Sequence, residues 1–174
     1  MNTKKLIKRA KRGHKKAIVT LIMAQQHDYY RLAYIYVENE HDAMDALENM
    51  IVIIYHKIKQ LQNEDAFYSW SKTILVNECR AILRQKKRMI FLEDETILEQ
   101  TVDPIESFHL SYEIEHYLSI LSPVQKEAIS LKYLLDYDYE TIATLTNTSV
   151  STAKTRVFYG LQKIRQHVEK EDLQ

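Results

Sequence analysis

Between Leu121 and Ile164 the apolar residues recur in three short helical bursts, separated by capping and turn chemistry. Ser122 and Gln125 stand at capping-box spacing, with Pro123 between them at the favoured first helical position. Val124, Ala128, Leu131 and Leu135 then predict one buried face. Asp136, Tyr137 and Asp138 break that pattern, and Asp138 is placed to cap a second short helix carrying Ile142, Ala143 and Leu145. Thr146, Asn147 and Thr148 form a polar turn. Ser149 sits where an N-cap belongs, ahead of a third helix expected to bury Val150, Ala153, Val157, Leu161 and Ile164. The last two helices read as a helix-turn-helix.

The third helix is apolar on one side only. Its other side presents Ser151, Thr152, Lys154, Thr155 and Arg156, hydroxyl and cationic groups of the kind that meet phosphates and base edges from the major groove. Taken alone, such a face is equally the solvated side of a helical hairpin. The order of capped helix, short helix, polar turn and mixed helix favours DNA binding.

Two glycines and two prolines in 174 residues leave little turn chemistry for a β-rich fold. Strand-like alternation is also scarce, so the expected fold is all-α. A lone Cys79 excludes an internal disulfide and any cysteine-based zinc cluster. No apolar run approaches the ~18 residues needed to span a bilayer, so a cytoplasmic protein without direct membrane insertion is expected. The seven histidines include no pair at the i, i+4 spacing of a helical metal site. There is no Gly-rich phosphate loop and no nucleophile motif. Neither cofactor, metal nor enzymatic activity is therefore expected.

The charges balance, 24 basic against 24 acidic, but they are sorted into blocks. Lys4, Lys5, Lys8, Arg9, Lys11, Arg12, Lys15 and Lys16 open the chain, and Arg80, Arg84, Lys86, Lys87 and Arg88 form a second basic cluster. Every charged residue from Glu93 to Glu106 is acidic. Such blocks read as two anion-binding surfaces around a solvated linker.

In the first half, a basic helix ends near Gly13 and a second runs from His14 to Met23 with Ala17, Ile18, Leu21 and Ile22 inward. The next carries Leu32, Ala33, Tyr36 and Val37. Asn39 is placed to cap a helix whose Ala43, Leu47, Met50, Ile54 and Ile58 share one face, while Asp42, Asp45, Glu48 and Asn49 share another. Asp42 suits the helix dipole there; Asp45 and Glu48 lie further in and are candidates for a partner surface. A long helix from Phe67 to Arg88 is expected to bury Phe67, Trp70, Ile74 and Ala81, with Lys72, Arg80 and Arg84 off that side. With Asn63 and Phe67 in the preceding loop, this arrangement suits melting DNA, where cations follow the backbone and a pocket takes an unstacked base. From Glu93 to about Ser111 periodicity is lost, and Asp103-Pro104 blocks a helix. The expected organisation is residues 1–92 as one helical domain, 93–111 as a linker and 112–174 as a second domain.

Two small helical units around an acidic linker resemble the extracytoplasmic-function sigma factors of bacterial RNA polymerase. The resemblance rests on Tyr30–Tyr34, Asp42–Asp45 and Trp70–Asn77 followed by Arg84, then on Leu121–Pro123, Ile142-Ala143 and Ser149–Arg156. It implies a polymerase-docking face of Asp42, Asp45, Glu48 and Asn49. It implies a minus-ten surface of Asn63, Phe67, Lys72, Asn77, Arg80 and Arg84, with a flipped base held by the 63–67 loop. It places Ser151, Thr152, Lys154, Thr155 and Arg156 on the minus-thirty-five element, and threads the acidic linker towards the polymerase active site and RNA exit channel. The implied partners are core RNA polymerase, promoter DNA and an anti-sigma protein, in this family often membrane-anchored. Family members often have Gly in the helix-turn-helix turn, where this chain has Thr146 and Asn147; Asn tolerates the left-handed conformation. A helix-turn-helix regulator that never joins the polymerase would account for the second half but not for Trp70–Asn77 or the Asp42–Asn49 face.

Overall fold

The computed structural model describes residues 2–90 and 112–171; the acidic run and the expected 93–111 linker lie outside the described residues. Among the described residues there are helices and turns and no strand. The chain divides into two compact units, Met1–Ile105 and Glu106–Gln174.

The first unit comprises α1 (Thr3–Lys11), α2 (Lys15–Met23), α3 (Gln26–Val37), α4 (Glu40–Lys57) and α5 (Phe67–Ile90). Short 3-10 turns at Ile58–Gln60 and Glu64–Ala66 link the last two. The Asn2 side chain caps α1 by accepting the Lys5 amide. Gly13, at φ +91°, supplies the left-handed residue that turns the chain into α2. α3 stops at Glu38, also left-handed at φ 52°, whose amide donates to Tyr34 O at 2.8 Å. Asn39 then caps α4: its Oδ1 accepts the Asp42 amide at 3.0 Å.

Helix α1 packs on α2 and the two 3-10 turns, α2 packs against α3 and α4, and α3, α4 and α5 pack mutually. Their seam is lined by small residues, Ala33, Ala43 and Ala46, all with no exposed surface, and filled by Tyr29, Leu32, Met50, Ile54, Phe67, Leu75 and Val76. The buried stripe of α4 therefore runs through Ala46, and Leu47, expected inside, is only half-buried. On α5 the inward residues are Phe67, Ser71, Leu75, Val76 and Cys79. Trp70, Ile74 and Ala81 are half-buried, a rotation of the stripe towards Ser71. Ser71 is admitted because it is satisfied. It donates to Tyr68 O at 3.1 Å and receives the Tyr29 hydroxyl at 2.6 Å. Burial also pushes the Cys79 thiol up to about 12.

The second unit comprises α6 (Tyr112–Ser119), α7 (Pro123–Ile129), a π-helical turn at Ser130–Leu134, α8 (Tyr139–Thr146) and α9 (Val150–Glu171). Gln125 reaches back to accept the Ser122 amide at 3.1 Å, as the capping spacing predicts. The Asp138 side chain caps α8 by accepting the Thr141 amide at 2.7 Å. That bond holds the Asp138 carboxyl below its ordinary range. Ala128, Leu131 and Leu135 face inward, but Val124 is 44% exposed. On α9, Ala153 and Val157 are buried and the seam continues through Gly160, not Leu161, which is 39% exposed. A Cβ at Gly160 would stand 2.5 Å from Ile129 Cδ1 and 3.4 Å from Gln125 Cβ, so α7 and α9 meet closely there and a side chain at this position would force Ile129 to shift.

Two outcomes test this packing. Gly160→Leu should destabilise the protein by about 1–3 kcal/mol through overpacking, read as a lower denaturation midpoint. Cys79, protonated and buried at neutral pH, should resist iodoacetamide until the protein unfolds.

Candidate nucleic-acid and partner interfaces

The helix-turn-helix is built by local hydrogen bonds. Asn147 takes the left-handed conformation, φ 52° and ψ 51°, that allows α8 to end and α9 to begin within a few residues. Thr148 N donates to Ala143 O at 2.9 Å. The Thr146 hydroxyl donates to Ile142 O at 2.8 Å, so the Thr148 hydroxyl is the donor in their 2.9 Å contact. Ser149 Oγ accepts the Thr152 amide at 3.0 Å and caps α9.

With Ala153, Val157 and Gly160 turned inward, α9 exposes Ser151, Thr152, Lys154 and Thr155 and half-exposes Arg156. Ser151, Thr152, Thr155 and Arg156 line one side of a groove of about 270 Å³, facing Ser122, Val124 and Gln125 at the start of α7. Val124 thus belongs to this groove and not to the core. Thr152 is also part of the cap, its hydroxyl 2.8 Å from that of Ser149. Lys154 lies on the other flank, where its Nζ stands 5.6 Å from the Tyr139 ring centroid; Lys132 Nζ stands 5.4 Å from the same centroid. Tyr159 in the groove and Phe158 beside it are 54% and 63% exposed. Neither belongs to the face expected from the sequence, although Tyr159 falls three and four residues beyond Arg156 and Thr155, a spacing that puts it on their side of the helix.

In the first unit, Asn77, Arg80 and Arg84 follow one another at helical spacing on the outer side of α5. Arg80 lies with its guanidinium carbon 5.6 Å from the Tyr36 ring centroid. Lys72 is not part of this stripe: its Nζ is 2.7 Å from Asp28 Oδ2, tying α5 to α3. Phe67 is fully buried, packed edge-on against Tyr68 and beside Trp70, and offers no face to a base. The reason is that α5 begins at Phe67, so its side chain enters the bundle with the first turn. The preceding segment is a 3-10 turn capped by exposed Asn63, whose Oδ1 accepts the Asp65 amide. The basic first helix finds partners here, with Lys4 2.9 Å from Asp65 and Lys11 3.7 Å from Glu64.

On α4, Glu48 and Asn49 are exposed and Asp45 is half-buried, 3.6 Å from His41 Nε2. Asp42 is separate from them. It is 5% exposed and paired with Lys86 of α5, so it braces the bundle. Glu48 stands at the rim of an apolar cleft of about 430 Å³ that includes Met23, Tyr30, Met44, Leu47 and Ile51. Exposed Val52 lies one turn on from Glu48 along α4. Leu47 lines this cleft, which accounts for its half-burial.

Residues 21–89, which carry the α4 and α5 faces, match the family description "Sigma-70 region 2". Residues 111–164, which carry the helix-turn-helix, match "Sigma-70, region 4". The chain belongs to the sigma-70 family. It is 32% identical over 163 residues to the RNA polymerase sigma factor SigV of Bacillus subtilis, covering 94% of this chain and 98% of that protein. It is 26% identical over 182 residues to the ECF sigma factor SigW of the same organism, covering 97% of each. The fold is shared with the sigma factor RpoE of Bartonella quintana, solved with the anti-sigma factor NepR, at a TM-score of 0.69 and 20% identity over 88% of this chain and 98% of that one. CnrH, solved with the cytosolic domain of CnrY, also gives 0.69, at 17% identity over 97% of each chain. This sigma-70 family member is of the extracytoplasmic-function type, an alternative sigma factor that directs promoter-specific transcription initiation.

One measurement checks the architecture of the second interface. Asp138→Ala should lower the stability of the second unit at neutral pH and have little effect in strong acid. A carboxyl whose folded pKa is depressed contributes above its unfolded pKa and loses that contribution as pH falls through the folded value. Denaturation midpoints of the two proteins across pH 2–7 should therefore converge at the acid end.

Proposed function

We propose that α9 reads the minus-thirty-five element in the major groove with Ser151, Thr152, Lys154, Thr155 and Arg156. The observation that carries this is their shared exposure along one helix whose opposite side is locked against α7 and α8. Tyr159 joins them at the groove wall. Asn63, Asn77, Arg80 and Arg84 meet the minus-ten strand as it opens. Lys72 and Phe67 support that surface from within, Lys72 through Asp28 and Phe67 through its packing.

Asp45, Glu48 and Asn49, with the apolar cleft beside Glu48, dock on core polymerase. Asp42 serves through Lys86, holding the end of α5 against the start of α4. Residues 1–92 and 112–174 act as the two promoter-binding domains, with 93–111 as the linker between them. The protein contributes no catalytic group, since phosphoryl transfer belongs to the core enzyme, and it works in the cytoplasm with polymerase and chromosome. An anti-sigma protein covers these faces when the factor is silent. The two solved relatives were each captured with such a regulator or with a cytosolic domain bound to them. No helix among the described residues is long and apolar enough to cross a membrane.

The test separates the two halves. Purified protein should co-elute one-to-one with core RNA polymerase without DNA, and Asp45→Arg should weaken that complex while leaving the helical content unchanged; normal competition by the variant would move the docking face elsewhere. Arg156→Ala or Lys154→Ala should cost about 1–3 kcal/mol in minus-thirty-five binding if a base contact is lost. Loss of a phosphate contact alone would instead lower the salt slope by about one. Unchanged footprints would overturn the assignment of α9.

A further inference from the structure

Two histidines far apart in the chain meet in the second unit. His116 of α6 and His167 of α9 bring their Nε2 atoms to 3.3 Å, with ring centroids 5.4 Å apart and planes inclined by 46°. We propose that this pair is a divalent metal site, with Zn2+ as its first candidate, that fastens α6 to α9. Two imidazole nitrogens bound to one tetrahedral zinc at ~2.0–2.1 Å stand roughly 3.3–3.4 Å apart, which is the separation found here. Imidazole is also a preferred ligand of Zn2+, Cu2+ and Ni2+.

The pair is held ready for such an ion. Tyr117 packs its ring 5.6 Å from that of His116 and meets the His167 ring edge-on at 6.5 Å, so one aromatic side chain steadies both imidazoles. Beneath them Leu118 and Leu121 pack with Ile164 of α9, so the helices bearing the two ligands are already joined by an apolar floor. Because His116 is exposed, an ion can enter from solvent. Among the described residues no third His, Cys, Asp or Glu completes a cluster, so water fills the remaining positions and the affinity is below that of a four-ligand structural site. His167 lies three helical turns beyond Arg156, roughly 16 Å along α9. The ion therefore acts on the rigidity of the second unit and leaves the DNA-facing residues uncovered.

The experiment is calorimetric titration of the full-length protein with ZnCl2, alongside His116→Gln, His167→Gln and the double variant. The replacements are polar and lie at the surface, and helical circular dichroism confirms that each variant folds. The wild-type protein should show a saturable one-to-one event that weakens at least tenfold in either single variant and is no further reduced in the double. Zinc should raise the wild-type melting temperature by a few degrees and leave both single variants unmoved. Equal isotherms in all four proteins would place the zinc on other side chains and overturn the site. Absence of binding by the wild type would reduce the pair to a hydrogen bond between imidazoles.

Discussion

The seam of α3, α4 and α5 buries three alanines, and the outward faces of the first unit follow from which residues it encloses. Ala33, Ala43 and Ala46 have no exposed surface, and with Met50 and Ile54 also fully buried the rotation of α4 about its axis is set. Once Ala43, Ala46, Met50 and Ile54 point inward, Glu48, Asn49 and Val52 must point outward. The same logic on α5, where Phe67, Ser71, Leu75 and Cys79 are inward, leaves Asn77 and Arg84 in solvent. A larger residue in the seam would displace the helices and re-aim both surfaces together.

The second unit reaches the same end by different means. Here the close contact is Gly160 against Ile129, whose side chain would have to shift to admit a larger residue, and short helices are terminated by side-chain caps and left-handed residues. Gln125, Asp138 and Ser149 each satisfy or accept from backbone amides at helix starts, and Asn147 reverses the chain. Capping bonds are worth about 1 kcal/mol apiece, which matters in a small unit with little core. They hold α9 at a defined angle, and its polar side is thereby presented as one surface.

Charge adds a third level of organisation. The chain is formally neutral, and part of its basic start is spent internally, Lys4 and Lys11 facing Asp65 and Glu64. Lys72 and Lys86 are likewise engaged by Asp28 and Asp42. Most of these pairs are at least partly exposed, so each adds little stability, but they subtract four cations from those that sequence counting assigns to DNA. Asp42, almost fully buried, is the exception, and its pairing with Lys86 is structural.

Helix positions, caps and the helix-turn-helix were determined by local chemistry, and local chemistry is legible in the sequence. Asn39, Asp138, Asn147 and the Ser122–Gln125 spacing act within four residues of themselves, so their roles follow from spacing alone. Which side of each helix faces a neighbour was decided only by the tertiary structure. A stripe of apolar residues spans more of the circumference than a neighbour can cover, so Trp70, Val124 and Leu161 read as core and stand partly or largely in solvent. Phe67, read as a base-capturing residue, is enclosed because it falls at the first turn of α5. Asp42 and Lys86, like His116 and His167, lie 44 and 51 residues apart. No local spacing rule can pair them, since only the packing of whole helices brings such residues to the same place.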